Sequence, residues 1–229
     1  IVERIVPGIE ARQVMTDRTQ REAMRRAAAS AIGQLHLRSG TLTAISTEMI
    51  DSWVAQPLNV LRSLYVGQES HAEKLQALDL LEQQLRQALA GSQTWISWVH
   101  GDFAPRNIII STDASMVTGI LDWESAMRSG LPQLDLIHLF VSIRMNYQHK
   151  ELGYVTSELL SESNWTADER DILNQSHSLL PGDALDNRAL VLISWLHHVS
   201  ANLEKSVHYR THRWWLAQNI ENVLNTIKA

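Results

Sequence analysis

The sequence contains no cysteine, and this absence excludes disulfide bonds, thiolate zinc sites and cysteine nucleophiles. It also lacks a surplus of basic residues: 20 lysines and arginines stand against 25 aspartates and glutamates, a formal net charge of −5. Such a chain has no electrostatic footprint for nucleic acid or for an anionic membrane surface. No apolar run approaches the length that spans a bilayer. We therefore expect a cytoplasmic protein that binds neither nucleic acid nor membrane.

What the sequence does have is the composition of a globular protein. Of its 229 residues, 45% are hydrophobic and 20% are charged, which is ordinary for a folded domain. This length is enough for one domain with a substantial core or for two small ones. Most periodic segments have helical spacing, the strand-like segments are short, and neither repeats nor low-complexity tracts occur. We expect an α+β fold that is mainly helical and carries a small β-sheet.

Capping signals and apolar periodicity predict the helices. Residues 17–39 combine a capping box at Thr19-x-x-Glu22 with an apolar stripe, and they end at Gly40. The polar residues 39–47 are predicted to form a loop. Similar patterns predict further helices that begin near Thr47, Ser70 (with a capping box to Glu73), Gly130, Thr166 (with a capping box to Glu169), Ala184 and His212. Pro57 is expected to interrupt or kink the first of these.

The most informative stretch is residues 100–107, His-Gly-Asp-Phe-Ala-Pro-Arg-Asn. Three short strand-like runs surround it, over residues 95–99, 107–110 and 117–121. Turn residues between the last two runs predict a hairpin. Asp102, Asn107 and Asp122 therefore stand where strands end, and such positions are where a rigid scaffold presents side chains to a ligand.

Two carboxylates and one carboxamide at strand ends suit a hard cation that carries phosphate. Mg²⁺ prefers oxygen ligands and keeps several waters, so one or two carboxylates and the phosphates of a substrate satisfy it. A carboxylate beside the metal can accept a proton from an attacking hydroxyl group. Protein kinases use this arrangement, in which one Asp orients the nucleophile while an Asn and a later Asp hold the metal.

The spacing His-Gly-Asp-x-x-x-x-Asn at 100–107, followed by Leu-Asp-Trp-Glu at 121–124, resembles the aminoglycoside phosphotransferase and choline kinase superfamily, relatives of the protein kinases. Residues 130–136 resemble the Gly-x-Pro-x-x-Asp-Leu segment of that superfamily. Residues 32–36 resemble its Leu-Gly-x-Leu-His helix end, where we expect His36 to be structural and to pair locally. The resemblance implies the helical C-terminal lobe of a kinase-like fold.

It also implies an activity, the Mg²⁺-dependent transfer of the terminal phosphoryl group of ATP or GTP to a hydroxyl group of a small molecule. Asp102 would be the catalytic base, and Asn107 and Asp122 would hold Mg²⁺. Ile109 and Leu121 would form an apolar floor under the nucleotide base. The supporting residues would be His100, Arg106, Glu124 and Asp135.

The sequence defines the roles of these four supporting residues to different degrees. By resemblance, Asp135 ties its helix to residues 100–107 and does not touch substrate. Arg106 either contacts the transferred phosphate or is a solvated loop arginine. Glu124 either reaches the metal through water or holds its loop, and His100 is either catalytic or a satisfied core histidine.

The resemblance further implies that residues 1–229 form a C-terminal lobe that begins near the hinge, at residues 1–8. Without the resemblance, these first residues read equally well as a short edge strand. The lobe that covers the nucleotide would then lie upstream in cis. We expect the chain to fold as a stable domain but to need that lobe for activity.

Two other functions compete with a small-molecule kinase. A non-catalytic kinase-like binding module, or a fragment of a larger multidomain protein, would keep the motif without turnover. A metallophosphoesterase would need histidine ligands at a recognisable spacing, which the sequence lacks; the adjacent His197 and His198 point to different helix faces. Trp195, Trp214 and Trp215 could form an aromatic cage for a quaternary amine, although core packing is the simpler interpretation. The identity of the acceptor and the choice between ATP and GTP stay open.

Overall fold

The structure is a computed structural model that describes residues 6–66 and 71–228. The predicted cap at Ser70 and most of the predicted hinge at residues 1–8 lie outside this part of the chain. The chain divides into two compact units. The first unit comprises residues 1–42, 95–149 and 165–182, and the second comprises residues 43–94, 150–164 and 183–229. Among the described residues, no helix combines the length and the apolar character that crossing a membrane would require.

Helices make up most of the described chain. The α-helices are α1 (Arg18–Ser39), α2 (Thr47–Ile50), α3 (Gln56–Arg62), α4 (Ala72–Leu89), α5 (Gln133–Gln148), α6 (Leu152–Leu159), α7 (Ala167–Leu179), α8 (Asn187–Lys205), α9 (Val207–Thr211), α10 (Arg213–Leu216) and α11 (Asn222–Lys228). Short 3₁₀ turns cover Ala11–Val14, Pro105–Asn107 and Glu162–Asn164, and π-helical turns cover Asp51–Ala55 and Ala217–Glu221. The predicted helices are therefore present, with shifted ends.

The strands form two small sheets. They are β1 (Ile9–Glu10), β2 (Thr41–Ala44), β3 (Gln93–Val99), β4 (Ile108–Ile110), β5 (Val117–Ile120) and β6 (Met127–Gly130). In the first sheet, β4 lies between β1 and β5, and both pairings are antiparallel. The second sheet has the order β2-β3-β6, with β3 and β6 antiparallel. The three predicted strands are confirmed, whereas the loop predicted over residues 39–47 is wrong because it contains β2.

Both ends of α1 differ from their predicted caps. Asp17, rather than Thr19, is the N-cap, and its carboxylate accepts a hydrogen bond from the backbone N–H of Gln20 at 2.8 Å. Gly40 does follow the last helical residue, but its backbone is extended, with φ of −103°. A Cβ at Gly40 would overlap the indole ring of Trp95. Glycine is therefore required here by a close approach and not by a left-handed turn.

Pro57 does not interrupt its helix. The helical segment continues from α2 through the π-helical turn Asp51–Ala55 into α3, and Pro57 lies in the first turn of α3. Proline has no N–H with which to bond the carbonyl four residues earlier, which is that of Trp53. Nε2 of His197 lies 3.0 Å from this oxygen. His197 thus satisfies a carbonyl that proline cannot.

The second unit is built around its apolar helix faces. Most of the leucines of α4 are buried, and so is much of α8. Trp195 is fully buried and donates its Nε1–H to the carbonyl oxygen of Asn219 at 2.7 Å. Trp214 is 56% exposed. Core packing, the simpler interpretation of these tryptophans, is thus correct for Trp195 and wrong for Trp214.

A buried ion network joins α5 and α7 in the first unit. The capping box predicted at Thr166 and Glu169 is confirmed. The carboxylate of Glu169 also accepts hydrogen bonds from Arg144, at 3.0 and 2.5 Å. Burial alone would raise the pKa of Glu169, but the hydrogen bonds and charge of Arg144 outweigh it and hold the pKa below its ordinary value. Both side chains are almost completely buried, so each charge depends on the other.

Replacing Glu169 with Gln should therefore destabilise the protein strongly. The variant keeps the size of the side chain and an acceptor for the Thr166 amide, but it leaves the buried guanidinium of Arg144 without its anion. We expect the free energy of unfolding to fall by about 3–5 kcal/mol. Urea unfolding followed by circular dichroism measures this loss.

Glu22→Gln is the control, because it breaks an exposed pair with Arg18 that solvent already screens. It should leave the urea midpoint nearly unchanged. In the wild type, the contribution of Glu169 is complete above the pKa of an unfolded glutamate and is lost as the pH falls through the lower folded-state pKa. Equal midpoints for Glu169→Gln and the wild type at neutral pH would contradict the assignment.

Candidate active site

Residues 100–107 form a loop between β3 and β4, and a buried carboxylate from α5 fixes the first part of this 100–107 loop. Asp135 accepts hydrogen bonds from the backbone N–H of His100 at 2.8 Å and from that of Gly101 at 2.9 Å. Its side chain is 1% exposed. The predicted tie between this helix and the loop is thus present, and it runs from a side chain to backbone amides.

His36, at the end of α1, completes the surroundings of Asp135. Nε2 of His36 lies 3.0 Å from Oδ2 of Asp135, a residue 99 positions further along the chain. The expectation of local pairing for His36 is therefore wrong. A buried carboxylate needs several donors to offset its lost hydration, and α1 supplies one in addition to the two loop amides.

Gly101 is the residue that allows the loop to turn. Its φ is +77°, in the left-handed region that side chains rarely adopt. A Cβ at this position would also overlap the carbonyl oxygen of Ser125. Glycine in the His-Gly-Asp sequence therefore has both a conformational and a steric cause.

His100 connects the loop to the segment after β5. Its Nε2 lies 2.8 Å from the carbonyl oxygen of Leu121, and its Nδ1 lies 3.2 Å from the backbone N of Asp102. Because a carbonyl can only accept, the ring proton lies on Nε2, and Nδ1 accepts from Asp102. The ring is fully buried and also packs on the indole of Trp123, with ring centroids 4.6 Å apart. His100 is thus a fully bonded core histidine that supports the loop.

Asp122 leaves β5 beside the same loop. Its φ is +58°, a conformation that Asp tolerates better than most residues. The N–H of the preceding Leu121 donates to the carbonyl oxygen of Asn107 at 2.8 Å. Together with the bond to His100, this contact fixes the backbone next to Asp122, whose side chain is exposed.

The carboxylate of Asp102 is bonded by three side chains. Nη2 of Arg106 lies 2.6 Å from each carboxylate oxygen. Nε2 of His138 lies 3.0 Å from Oδ1, and Nδ2 of Asn107 donates to Oδ2 at 3.0 Å. His138 and Asn107 are buried, whereas Arg106 is 52% exposed. Two buried donors therefore hold the carboxylate, and an arginine covers its solvent side.

These contacts decide the ionisation of Asp102. Its partial burial would raise its pKa, but the hydrogen bond and charge of His138, together with the charge of Arg106, outweigh that effect. The pKa of Asp102 consequently lies far below its usual range. The carboxylate is ionised at neutral pH and is a weak base.

Asn107, Asp122 and Glu124 carry oxygen atoms of the type that a hard cation binds. Asn107 uses Nδ2 on the carbonyl and carboxylate oxygens of Asp102, at 2.8 and 3.0 Å, so its Oδ1 is the atom that it can offer to a metal. Asp122 and Glu124 present exposed carboxylates. A carboxamide and carboxylate oxygens are ligands that suit Mg²⁺.

The two apolar candidates, Ile109 and Leu121, are placed differently. Ile109 is half-buried between the fully buried Ile108 and Ile110 of β4, so it points to the opposite face of the strand. Leu121 is 41% exposed, directly after β5. Both side chains therefore remain accessible to an apolar ligand.

His138 is the site residue that the sequence analysis missed. It reaches Asp102 from α5, three positions after Asp135, and so lies on the same face of the helix. That spacing was the available signal. A histidine one turn beyond a loop-binding aspartate can contact the same loop.

Comparisons with known proteins identify the family and the fold of this chain. The sequence model of the phosphotransferase enzyme family matches residues 2–170. A search of curated proteins found no match. A Ralstonia eutropha protein, assigned provisionally to the aminoglycoside phosphotransferases, has a similar structure, with a TM-score of 0.59 and 16% sequence identity. The match covers 100% of this chain and 71% of the other. This likeness shows a shared fold and confirms the kinase-like, mainly helical architecture expected from the sequence.

Two further solved structures are more distant. The aminoglycoside phosphotransferase APH(3'')-Id from Streptomyces rimosus, in complex with ADP and streptomycin, has 19% identity and a TM-score of 0.47. That match covers 84% of this chain and 68% of the other. Glucosamine kinase has 15% identity and a TM-score of 0.49, over 93% of this chain and 53% of the other.

Removing the carboxylate of Asp135 should loosen the loop without changing the residues that line it. Asp135→Ala leaves the amides of His100 and Gly101 without their acceptor, which costs about 1–3 kcal/mol for each buried donor. We expect faster hydrogen exchange at these two amides and a lower unfolding midpoint. Glu22→Gln, which breaks an exposed pair outside the site, should alter neither quantity. Unchanged protection of both amides in Asp135→Ala would contradict this account of the loop.

Proposed function

Because this chain belongs to the phosphotransferase enzyme family, we propose that it carries the catalytic loop of a Mg²⁺-dependent enzyme that transfers the terminal phosphoryl group of a nucleoside triphosphate to a hydroxyl group of a small molecule. Family membership supports phosphoryl transfer to a small molecule. One observation carries the residue-level proposal: the ionised carboxylate of Asp102 is fixed by two buried donors at the end of a strand.

In this proposal, Asp102 accepts a hydrogen bond from the hydroxyl group of the acceptor. This bond directs the lone pair of the hydroxyl oxygen at the phosphorus. The low pKa of Asp102 makes it a weak base, so its main contribution is orientation. Orientation is sufficient in phosphoryl transfer, where positioning and charge stabilisation account for most of the catalysis. The hydroxyl proton passes to Asp102 late, as the new bond forms.

The same proposal assigns Asn107, through Oδ1, and Asp122 to the metal. Mg²⁺ bound there supplies charge neutralisation on the phosphates of ATP or GTP. Ile109 and Leu121 would contact the nucleotide base. Glu124 would contact the metal through water or hold its loop.

Arg106 must leave Asp102 before an acceptor can reach it. It contacts both oxygens of the carboxylate from the solvent side, which is the side open to a hydroxyl group. A guanidinium that moves from this carboxylate to the transferred phosphate would exchange one anion for another. The proposal includes this movement of Arg106. It also includes a nucleotide-covering lobe upstream of the hinge predicted at residues 1–8.

The first test replaces Asp102 with Asn in the longest natural polypeptide that carries these residues. Release of ADP from Mg-ATP and of GDP from Mg-GTP is measured over a panel of amino alcohols, sugars, nucleosides and aminoglycosides. We expect Asp102→Asn to lower kcat by at least about a hundredfold, because the amide cannot take the proton. Nucleotide affinity should be nearly unchanged, since the residue meets the acceptor and not the nucleotide.

Asp113→Asn is the matched control. Asp113 lies in the turn between β4 and β5 and accepts hydrogen bonds from Ser111 and Ser115, away from the proposed chemistry. It should retain normal turnover. Normal turnover by Asp102→Asn would exclude the catalytic assignment. Nucleotide binding without turnover by the wild type on any acceptor would favour the non-catalytic binding module.

The second test concerns the metal. Asp122→Ala removes one proposed ligand and should weaken the binding of Mg-ADP, with partial recovery when Mg²⁺ is raised or replaced by Mn²⁺. Isothermal titration calorimetry at limiting and saturating metal separates these effects, with Asp113→Ala as the control. Equal affinities of Asp122→Ala and the wild type at limiting Mg²⁺ would argue against a metal-binding role for Asp122.

A further inference from the structure

His138 contacts the 100–107 loop from the same helix face as Asp135. Asp135 bonds the backbone of His100 and Gly101, and His138, three residues later, bonds the side chain of Asp102. One face of α5 therefore fixes first the path of the loop and then the direction of its carboxylate. The bond from the His100 amide to Asp135 is buried, and the bonds from the Gly101 amide to Asp135 and from His138 to Asp102 are partly buried.

The hydrogen bond from His138 has a defined polarity. A carboxylate can only accept, so Nε2 of His138 carries the proton that lies between it and Oδ1 of Asp102. In the same unit, the hydroxyl of Ser142 lies 3.4 Å from the same nitrogen. This is near the limit of a hydrogen bond. The ring therefore directs its donor at Asp102.

The three donors on Asp102 are not equivalent. Arg106 is on the solvent side and must move when a hydroxyl group approaches. After that movement, the carboxylate keeps His138 on Oδ1 and Asn107 on Oδ2. If Asn107 also bonds a metal, the hydrogen bond from His138 still holds the carboxylate. An imidazole on a buried helix is a rigid support for this purpose.

We propose that His138 is a positioning residue that fixes the carboxylate of Asp102 in the orientation needed to receive the acceptor hydroxyl. This inference rests on the proposed function of Asp102. His138 does not touch the substrate; it acts through Asp102. Without it, Oδ1 loses its inner donor and the carboxylate can rotate away from the acceptor.

Two substitutions separate positioning from packing. His138→Leu introduces an apolar side chain of similar size and removes both ring nitrogens. His138→Gln keeps a side-chain N–H donor. Turnover of Mg-ATP with the best acceptor of the panel is measured for each. We expect His138→Leu to lower kcat by about ten- to a hundredfold, since small misplacements have effects of this size, while KM for Mg-ATP changes less than about twofold. His138→Gln should recover part of the loss.

His197→Leu is the matched control, because His197 is also a helix histidine with a hydrogen bond, in this case to the Trp53 carbonyl. It should reduce stability and leave kcat near that of the wild type. A normal kcat in His138→Leu would overturn the proposal. Equal losses of kcat in the Leu and Gln variants would also overturn it if each loss paralleled the fall in the unfolding midpoint of that variant. That pattern would indicate an effect on packing alone.

Crystal structures of the wild type and of the variants test the inference even if no acceptor supports turnover. The absence of turnover would count against the proposed function itself. In that case, an Asp102 carboxylate rotated in the variant, with the backbone of the 100–107 loop unchanged, would still support positioning by His138. An unrotated carboxylate would overturn it. His138→Gln serves in both measurements if His138→Leu does not fold, with an intermediate effect expected and a wild-type value overturning the proposal.

Discussion

The buried carboxylate of Asp135 is the constraint on which the candidate site depends. A carboxylate without water requires hydrogen-bond donors, and this one finds them in the amides of His100 and Gly101 and in the ring of His36. To satisfy it, α1, α5 and the end of β3 must all meet at one point. The position of Asp102, immediately after these two amides, is therefore a consequence of satisfying Asp135.

Features that depend on neighbouring residues could be predicted from the sequence. The Thr166 capping box and the strand around Ile109 are encoded by local spacing. The contact between Asp102 and Asn107 is also local in origin, because Pro105 begins a short turn that brings the amide back to the carboxylate. Local signals of this kind can be recognised without the rest of the chain. The family resemblance likewise rests on short segments of the sequence, among them residues 100–107.

Apart from the tie of Asp135 to the 100–107 loop, which the family resemblance implied, features that depend on distant residues could not be predicted. Nothing near His36 indicates Asp135 as its partner, and nothing near Pro57 indicates that His197 bonds the freed carbonyl of Trp53. A buried polar group is satisfied by whichever donor the tertiary structure brings close, and many positions can supply one. The cap of α1 shows the same limit at short range: Asp17 and Thr19 both have suitable side chains, and the path of the entering chain decides between them.

The hydrogen bonds to Asp102 affect both the orientation of its carboxylate and its basicity. Each donor that fixes the carboxylate also stabilises its charge, so better orientation is obtained together with a lower pKa. A site that relied on proton abstraction would need fewer donors or an apolar wall. The three donors on Asp102 instead suit a reaction in which the hydroxyl group is aligned early and loses its proton late. Phosphoryl transfer through a loose transition state has this property. Arg106 is the exposed donor of the three. In the proposed function it is the donor that would block the acceptor, and it could move without disturbing the hydrogen bonds from the buried His138 and Asn107.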